Sequence, residues 1–354
     1  MRQLAAVGLL ALLAVSAFGQ QPQPAYQEKV DVNLVQLDAI VTDNKGNQIL
    51  GLTKDDFVVK ENGVVQNLDA VDYFTNRTFL ESREGAAPFK VEKVNEQRFF
   101  VIFFDKPQDN QLFDELALAR SAAQSFIDKR LQPGDLVAVA AHDVRLKVYT
   151  DFTNDKRQLR AALDESAKFG PGKLSAAPNA NGPSLLAGVD RDKMMDRTGT
   201  VYEALELLGD QLHMFRGRKN VILFSPGILE LGETVRDGIR LNKSRYYDPM
   251  IHSLNEANVA VYPIQLQRNL NSQDLPVLHQ TLESLAADTS GEYFRNNTSF
   301  DPALKKIEQT NNGYYLISYY SPHARGSRGY QKVEVSVKSK GLRLKSREGY
   351  NYGE

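Results

Sequence analysis

The chain has 354 residues, 43 Lys and Arg against 44 Asp and Glu, a formal net charge of −1, no Cys and no Trp. Its length suggests about two domains of ~150 residues each, and its 42% hydrophobic and 25% charged residues are proportions of a folded protein. The lack of Cys excludes a disulfide framework, a thiolate metal site and a Cys nucleophile, and the near-zero charge gives no general reason to bind nucleic acid or anionic lipid.

The first residues, MRQLAAVGLLALLAVSAFGQQ, place Arg2 before an apolar run from Leu4 to Phe18, with Ala17 and Gly19 at the −3 and −1 positions of a cleavage site. This is the pattern of a secretory signal peptide over 1–19. A run of about 15 residues is short for a hydrocarbon core ~30 Å thick. The expected location is therefore periplasmic or secreted. No later stretch is apolar enough to span a bilayer, so no transmembrane anchor is expected after cleavage. Gln- and Pro-rich residues over 20–29 read as a flexible tether.

A β unit is expected over 30–75. Val30–Val41 alternates, with a phase change between Leu34 and Val35 that implies a bulge or two buried faces. Asn44-Lys45-Gly46 is a turn. Phe57–Lys60 and Val64–Gln66 flank Asn62-Gly63, a hairpin signal. Residues 76–97 are charged and irregular and read as a linker.

The pattern changes at Arg98. Phe99–Phe104 is continuously apolar, as in a strand covered on both sides. Leu112–Leu131 has helical spacing, Leu136–Ala141 and Leu146–Phe152 are strands close enough to pair as a hairpin, and Asp155–Ser166 is a short helix. Residues 168–196, rich in Gly, Pro, Ala, Ser and Asn, read as a long loop insertion. Helices are then expected over Thr200–Phe215, Asp248–Ala257 and Leu278–Ala287, and strands over Val221–Phe224, Val259–Leu266 and Glu292–Arg295. Asp301 is expected to cap a last helix with Pro302 in its first turn. This alternation over 98–312 predicts an α/β domain: a mostly parallel sheet with helices on both faces. Residues 313–354 return to β, with Tyr314–Tyr320, Gln331–Val337 and Leu342–Arg347 alternating. The two β ends are expected to pair into one sandwich.

Enzyme signatures are weak. His142, His213, His252, His279 and His323 form no close ligand pair, and there is no Gly-x-Ser-x-Gly elbow. Gly170-Pro171-Gly172-Lys173 lacks the strand that a phosphate loop follows. The tyrosines of the C-terminal segment read as core, and its alternating Lys and Arg residues as a solvated strand face.

Several segments in order resemble the VWFA-related family, of the type common in acidobacteria, with a von Willebrand factor A-like domain at its centre. They include VDVNLVQLDAIVTDNKGNQILGLTKDDFVVKENG, RFFVIFFD, LQPGDLVAVAAHD, GRKNVILFSPGI, LNEANVAVYPIQL, LAADTSGEYF and YYLISYYSP. The resemblance implies a Rossmann-like α/β sheet and a metal-ion-dependent adhesion site at the C-terminal edge of the strands. There, Asp-x-Ser-x-Ser, a Thr from a second loop and a further Asp would hold Mg²⁺ or Ca²⁺ through oxygen ligands. Asp105 matches the first Asp and Thr198 the Thr. Pro107 and Asp109 replace the two Ser, and Ser225-Pro226 stands where the last Asp would be. The site is thus degenerate: Asp105, Asp109 and Thr198 are candidate metal ligands, and with Ser225 they form the candidate ligand-binding rim. The alternative is structural, with Asp105 paired to a base such as Lys106, and Asp109 and Thr198 capping helices.

The expected function is an exported, non-enzymatic module that binds a protein or glycan partner, with no role for nucleic acid. A structural component of a cell-envelope assembly and a metal-assisted hydrolase using Asp105 and Asp109 are the alternatives.

Overall fold

The computed structural model describes residues 34–75, 97–106, 112–166, 168, 176–180, 182–215, 217–228, 243–266, 275–323, 327 and 329–352. The expected signal peptide and tether, nearly all of the expected linker, Asp109, and Gly170–Lys173 lie outside these residues.

The N-terminal strands are β1 (Leu34–Thr42), β2 (Phe57–Glu61), β3 (Val64–Val65) and β4 (Leu68–Thr75). Asn62 and Gly63 carry φ of 47° and 80°, the left-handed pair that a two-residue hairpin between β2 and β3 demands. The register of β1 with its neighbours is continuous. No bulge stands at the phase change, where Leu34 is 46% exposed; both faces of β1 are covered only from Leu37 to Val41.

The central region begins with β5 (Phe99–Asp105), α1 (Phe113–Lys129), β6 (Leu136–His142), β7 (Leu146–Thr153) and α2 (Lys156–Ser166). It continues with α3 (Arg191–Asp196), α4 (Val201–Leu212), β8 (Lys219–Ser225), α5 (Lys243–Glu256), β9 (Val259–Gln265), α6 (Leu275–Asp288) and α7 (Asp301–Thr310). The sheet order is β7-β6-β5-β8-β9. The pairs β6–β5, β5–β8 and β8–β9 are parallel, and β7 is an antiparallel edge made by the expected hairpin. Side chains alternate across a strand, so β5 divides its apolar run between two cores. Phe99, Val101 and Phe103 pack with residues of α4, α5 and α6. Phe100, Ile102 and Phe104 pack with α1, α2 and α7. The fold class is the one expected, α/β with helices on both faces.

Two local expectations need correction. Phe300 is the N-cap residue of α7 and Asp301 its first helical residue. Phe300 is drawn into the core beside Phe224, with ring centroids 5.7 Å apart, and the helix starts one residue earlier than expected. Glu292–Arg295 contributes one isolated bridge, Phe294 to Ile264, rather than a strand.

The last strands are β10 (Gly313–Tyr320), β11 (Gly329–Val337), β12 (Arg343–Ser346) and β13 (Gly349–Tyr352). They interleave with the N-terminal ones in two sheets, ordered β12-β1-β10-β4 and β13-β11-β2-β3. Leu37, Phe57, Val59, Tyr315, Ile317, Tyr319 and Val333 fill the space between them. The tyrosine hydroxyls are satisfied inside this core: Tyr319 and Tyr350 both donate to buried Glu61, at 2.6 and 2.7 Å.

Polar contacts join the sandwich to the α/β region. Arg98, inside the α/β region, pairs with Asp135 at 2.5 Å and donates to the Asn311 carbonyl and the Asn312 side chain, and the Asn312 carbonyl accepts from Thr75 of β4 at 2.8 Å. Arg218 lies 3.8 Å from Asp38 and donates to the Ser290 carbonyl at 2.9 Å. Arg347 donates to the backbone carbonyls of Asn255 and Gln36.

Candidate functional site

In an open α/β sheet the crevice for a ligand lies beyond the carboxyl ends of the strands, where the chain reverses its direction of winding. Here the chain runs from β5 to β6 and β7 on one side, then returns to β8 and β9 on the other. The reversal falls between β5 and β8. Asp105 ends β5 and Ser225 ends β8, so parallel neighbouring strands deliver both side chains to that point.

The two residues touch. Ser225 Oγ donates to Asp105 Oδ2 at 2.7 Å and accepts from the Gly227 amide at 3.1 Å. Burial pushes the Asp105 carboxyl up to about 6, against the lowering effect of the Ser225 bond. Among the described residues no base pairs with Asp105.

Lys106 does not neutralise it. Adjacent residues of an extended chain point to opposite faces, and the fully buried Lys106 side chain turns toward the β6–β7 edge. Its Nζ donates to the Lys168 carbonyl at 3.1 Å and to the Tyr149 hydroxyl at 3.3 Å, and lies 3.5 Å from Asp143. Burial lowers the lysine's pKa, opposed by the charge of Asp143. Burial also works against ionised Asp143, but Lys147 at 2.8 Å, the Val144 amide and Lys106 together hold its pKa below the usual value. This Lys106–Asp143–Lys147–Tyr149 group is absent from the sequence reading. Its only local signal is the four-residue spacing of Asp143 and Lys147 across a tight strand turn.

Thr198 lies one strand further along. Its hydroxyl donates to the Met194 carbonyl at 2.8 Å and accepts from the Leu146 amide at 3.0 Å. His142, the register partner of Asp105 on β6, donates from Nε2 to the Thr198 carbonyl at 3.1 Å, since a carbonyl can only accept. Burial lowers the His142 pKa, which favours the neutral ring.

The expected insertion is anchored where it is described. Asp151 accepts from the Asn179 amide at 3.0 Å, the Leu185 amide at 2.8 Å and the Ser184 hydroxyl at 2.5 Å. The last six residues of the expected loop are helical, forming α3, and Thr200 then caps α4 through a reciprocal pair of bonds with Glu203.

A hexacoordinate Mg²⁺ needs several free oxygen donors. The described residues at the switch point offer one carboxylate, already bonded by a hydroxyl, while the Thr198 hydroxyl is committed to backbone on both sides. Among the described residues no group of three or more His, Cys, Asp or Glu could hold a metal ion. Without Asp109, which lies outside the described residues, this donor set does not fit the implied ion.

No protein-family model and no curated protein sequence matches the chain. Solved structures similar to it include the vWF domain of the type V pili tip protein Mfa5 from Porphyromonas gingivalis. That domain is 12% identical, with 62% of this chain and 96% of that one covered and a TM-score of 0.39. The conserved hypothetical protein BatB from Bacteroides thetaiotaomicron is 15% identical, with 60% and 96% covered and a TM-score of 0.37. Proximal thread matrix protein 1 from the mussel byssus, with a zinc-occupied MIDAS motif, is 14% identical, with 62% and 47% covered and a TM-score of 0.38. Among the described residues, no helix is long and apolar enough to cross a membrane.

Proposed function

We propose that the chain is an exported, non-catalytic binding module of the adhesion type, and that it grips a protein or glycan partner at the strand-end rim around Asp105 and Ser225. One observation carries this reading: a half-buried carboxyl at the winding reversal of the sheet that, among the described residues, is bonded by a single hydroxyl and matched by no base. Folding alone gains nothing from it, because burying a carboxylate without full compensation costs free energy. A partner that presents amide, hydroxyl or basic groups to Asp105 would restore the lost hydrogen bonds and charge balance. Binding is favoured over turnover because the nearby titratable groups are committed elsewhere. His142 holds a backbone carbonyl, and Lys106 and Asp143 hold each other. We also propose that the grip is direct, without a bridging Mg²⁺ or Ca²⁺.

The test compares material retained from the envelope and medium of the producing cells by immobilised wild type, Asp105→Asn and Ser225→Ala, each with and without chelator. A partner held by the wild type in chelator and lost from Asp105→Asn is the expected outcome. Equal retention by all three proteins would overturn the rim as the gripping surface. Saturable Mg²⁺ or Ca²⁺ binding in calorimetry, abolished by Asp105→Asn, would overturn the direct grip. Hydrolysis of an ester, phosphoester or glycoside that Asp105→Asn abolishes would overturn the non-catalytic reading.

A further inference from the structure

A cleft of about 810 Å³ runs between the sandwich and the α6–α7 side of the α/β region. Its volume lies within the range of small-ligand and oligosaccharide pockets. Although the whole chain has a charge of −1, the walls of this cleft are cationic. Lys45 enters from the turn after β1, Arg295 from the segment after α6, Lys305 from α7 and Arg343 from β12. Among the described residues none of these four makes a salt bridge, although Lys45 acts through space on Asp43.

Three acids, Asp43, Glu283 and Glu292, line the cleft against six bases, and two of the three are already engaged. Glu292 is clamped between Lys306 and Lys345. Burial raises its pKa, but the two lysines together bring it below the usual value, so it stays ionised and spent. Asp43 is occupied by its own turn, accepting from the Lys45 and Asn47 amides at 2.8 Å each and from the Asn47 side chain at 2.9 Å. Arg343 and Lys345 share one face of β12, as the two-residue period of a strand requires. The alternating bases of the C-terminal segment, which read in sequence as a solvated strand face, thus bring two members to the cleft wall.

We propose that this cleft is a second binding site, separate from the rim, and that its ligand is an acidic polysaccharide. These four cations come from four different parts of the chain, which suits carboxylate or sulfate groups repeated along a polymer better than a single ion. Gln309 and Thr42 also line the cleft, and offer hydrogen-bonding groups for sugar hydroxyls. A concave wall suits a chain and excludes the flat surface of a bilayer.

The experiment uses the full mature chain and defined polygalacturonate oligomers, with dextran of equal length as the neutral control. Calorimetry is expected to show salt-sensitive binding of polygalacturonate and none of dextran. Lys305→Glu/Arg343→Glu should weaken binding by about tenfold or more, since it reverses two of the four charges. Glu292→Gln should tighten it, because Lys306 and Lys345 are released, and a gain of this kind cannot arise from misfolding. Asp105→Asn should leave it unchanged. Equal binding of dextran, undiminished binding by the double variant, or loss in Asp105→Asn would each overturn the proposal. So would tighter binding of anionic phospholipid vesicles or of poly-glutamate.

Discussion

On the proposed reading, Asp105 connects stability to recognition within one side chain. Its carboxyl has a folded-state pKa of about 6 against an ordinary 3.8. The sign is that of a raised acid: its favourable contribution is complete below the unfolded value and is lost as pH rises through 6. A shift of this size corresponds to about 2–3 kcal/mol. Asp105→Asn keeps an oxygen to accept the Ser225 bond and removes the buried charge. We predict that urea denaturation finds the variant no more stable than wild type near pH 4 and more stable, by up to about 2 kcal/mol, near pH 8. Destabilisation at both pH values would identify Asp105 as a structural cap. The residue types at this point were legible in the sequence, because Asp105 and Ser225 each close an apolar run at a strand end. The direction of Lys106 was not, since it depends on Asp143 and Tyr149 across a hairpin. Nor was the commitment of the Thr198 hydroxyl, whose amide partner is 52 residues away.

At the scale of elements, continuous apolar runs announced β5, β6, β8 and β9, and a helical period announced α1 and α4. The half-exposed strand β4, with only Tyr73 and Thr75 well buried, and the four-residue β13 carry too little pattern to stand out. α5 begins before the expected Asp248 and passes through Pro249, because Tyr247, Met250 and Leu254 bury one stripe in the core they share with α4. Gly291 gives a sharp test of how tightly α6 is joined to the sheet edge. A Cβ there would lie 1.7 Å from the Val261 carbonyl oxygen of β9, a contact with backbone that no rotamer relieves. Gly291→Ala should lower unfolding stability by about 2 kcal/mol or more in urea. Gly134→Ala, where a Cβ meets nothing within 4 Å, should stay within about 0.5 kcal/mol of wild type. A small effect at Gly291 would mean that the α6 end moves freely from β9.

For the whole molecule, the sandwich makes the two ends of the chain interdependent. β10 lies between β1 and β4, and β2 pairs with β11. The sequence supported the pairing of the β ends but not the interleaving, because strand order depends on contacts across the full length of the chain. If a protease site is engineered within 76–96 and cut, the N-terminal fragment should stay with the rest through native gel filtration and leave only in denaturant. Release under native conditions would show that the sandwich contributes little to cohesion. Interleaving also dictates timing. The first four strands emerge from the ribosome long before the strands that complete their sheets, so they must wait with open edges while the central region forms. Pairing over such a separation is slow and leaves partly made edges exposed to other chains. A holding chaperone during synthesis should therefore raise the yield of this protein more than that of its central region alone.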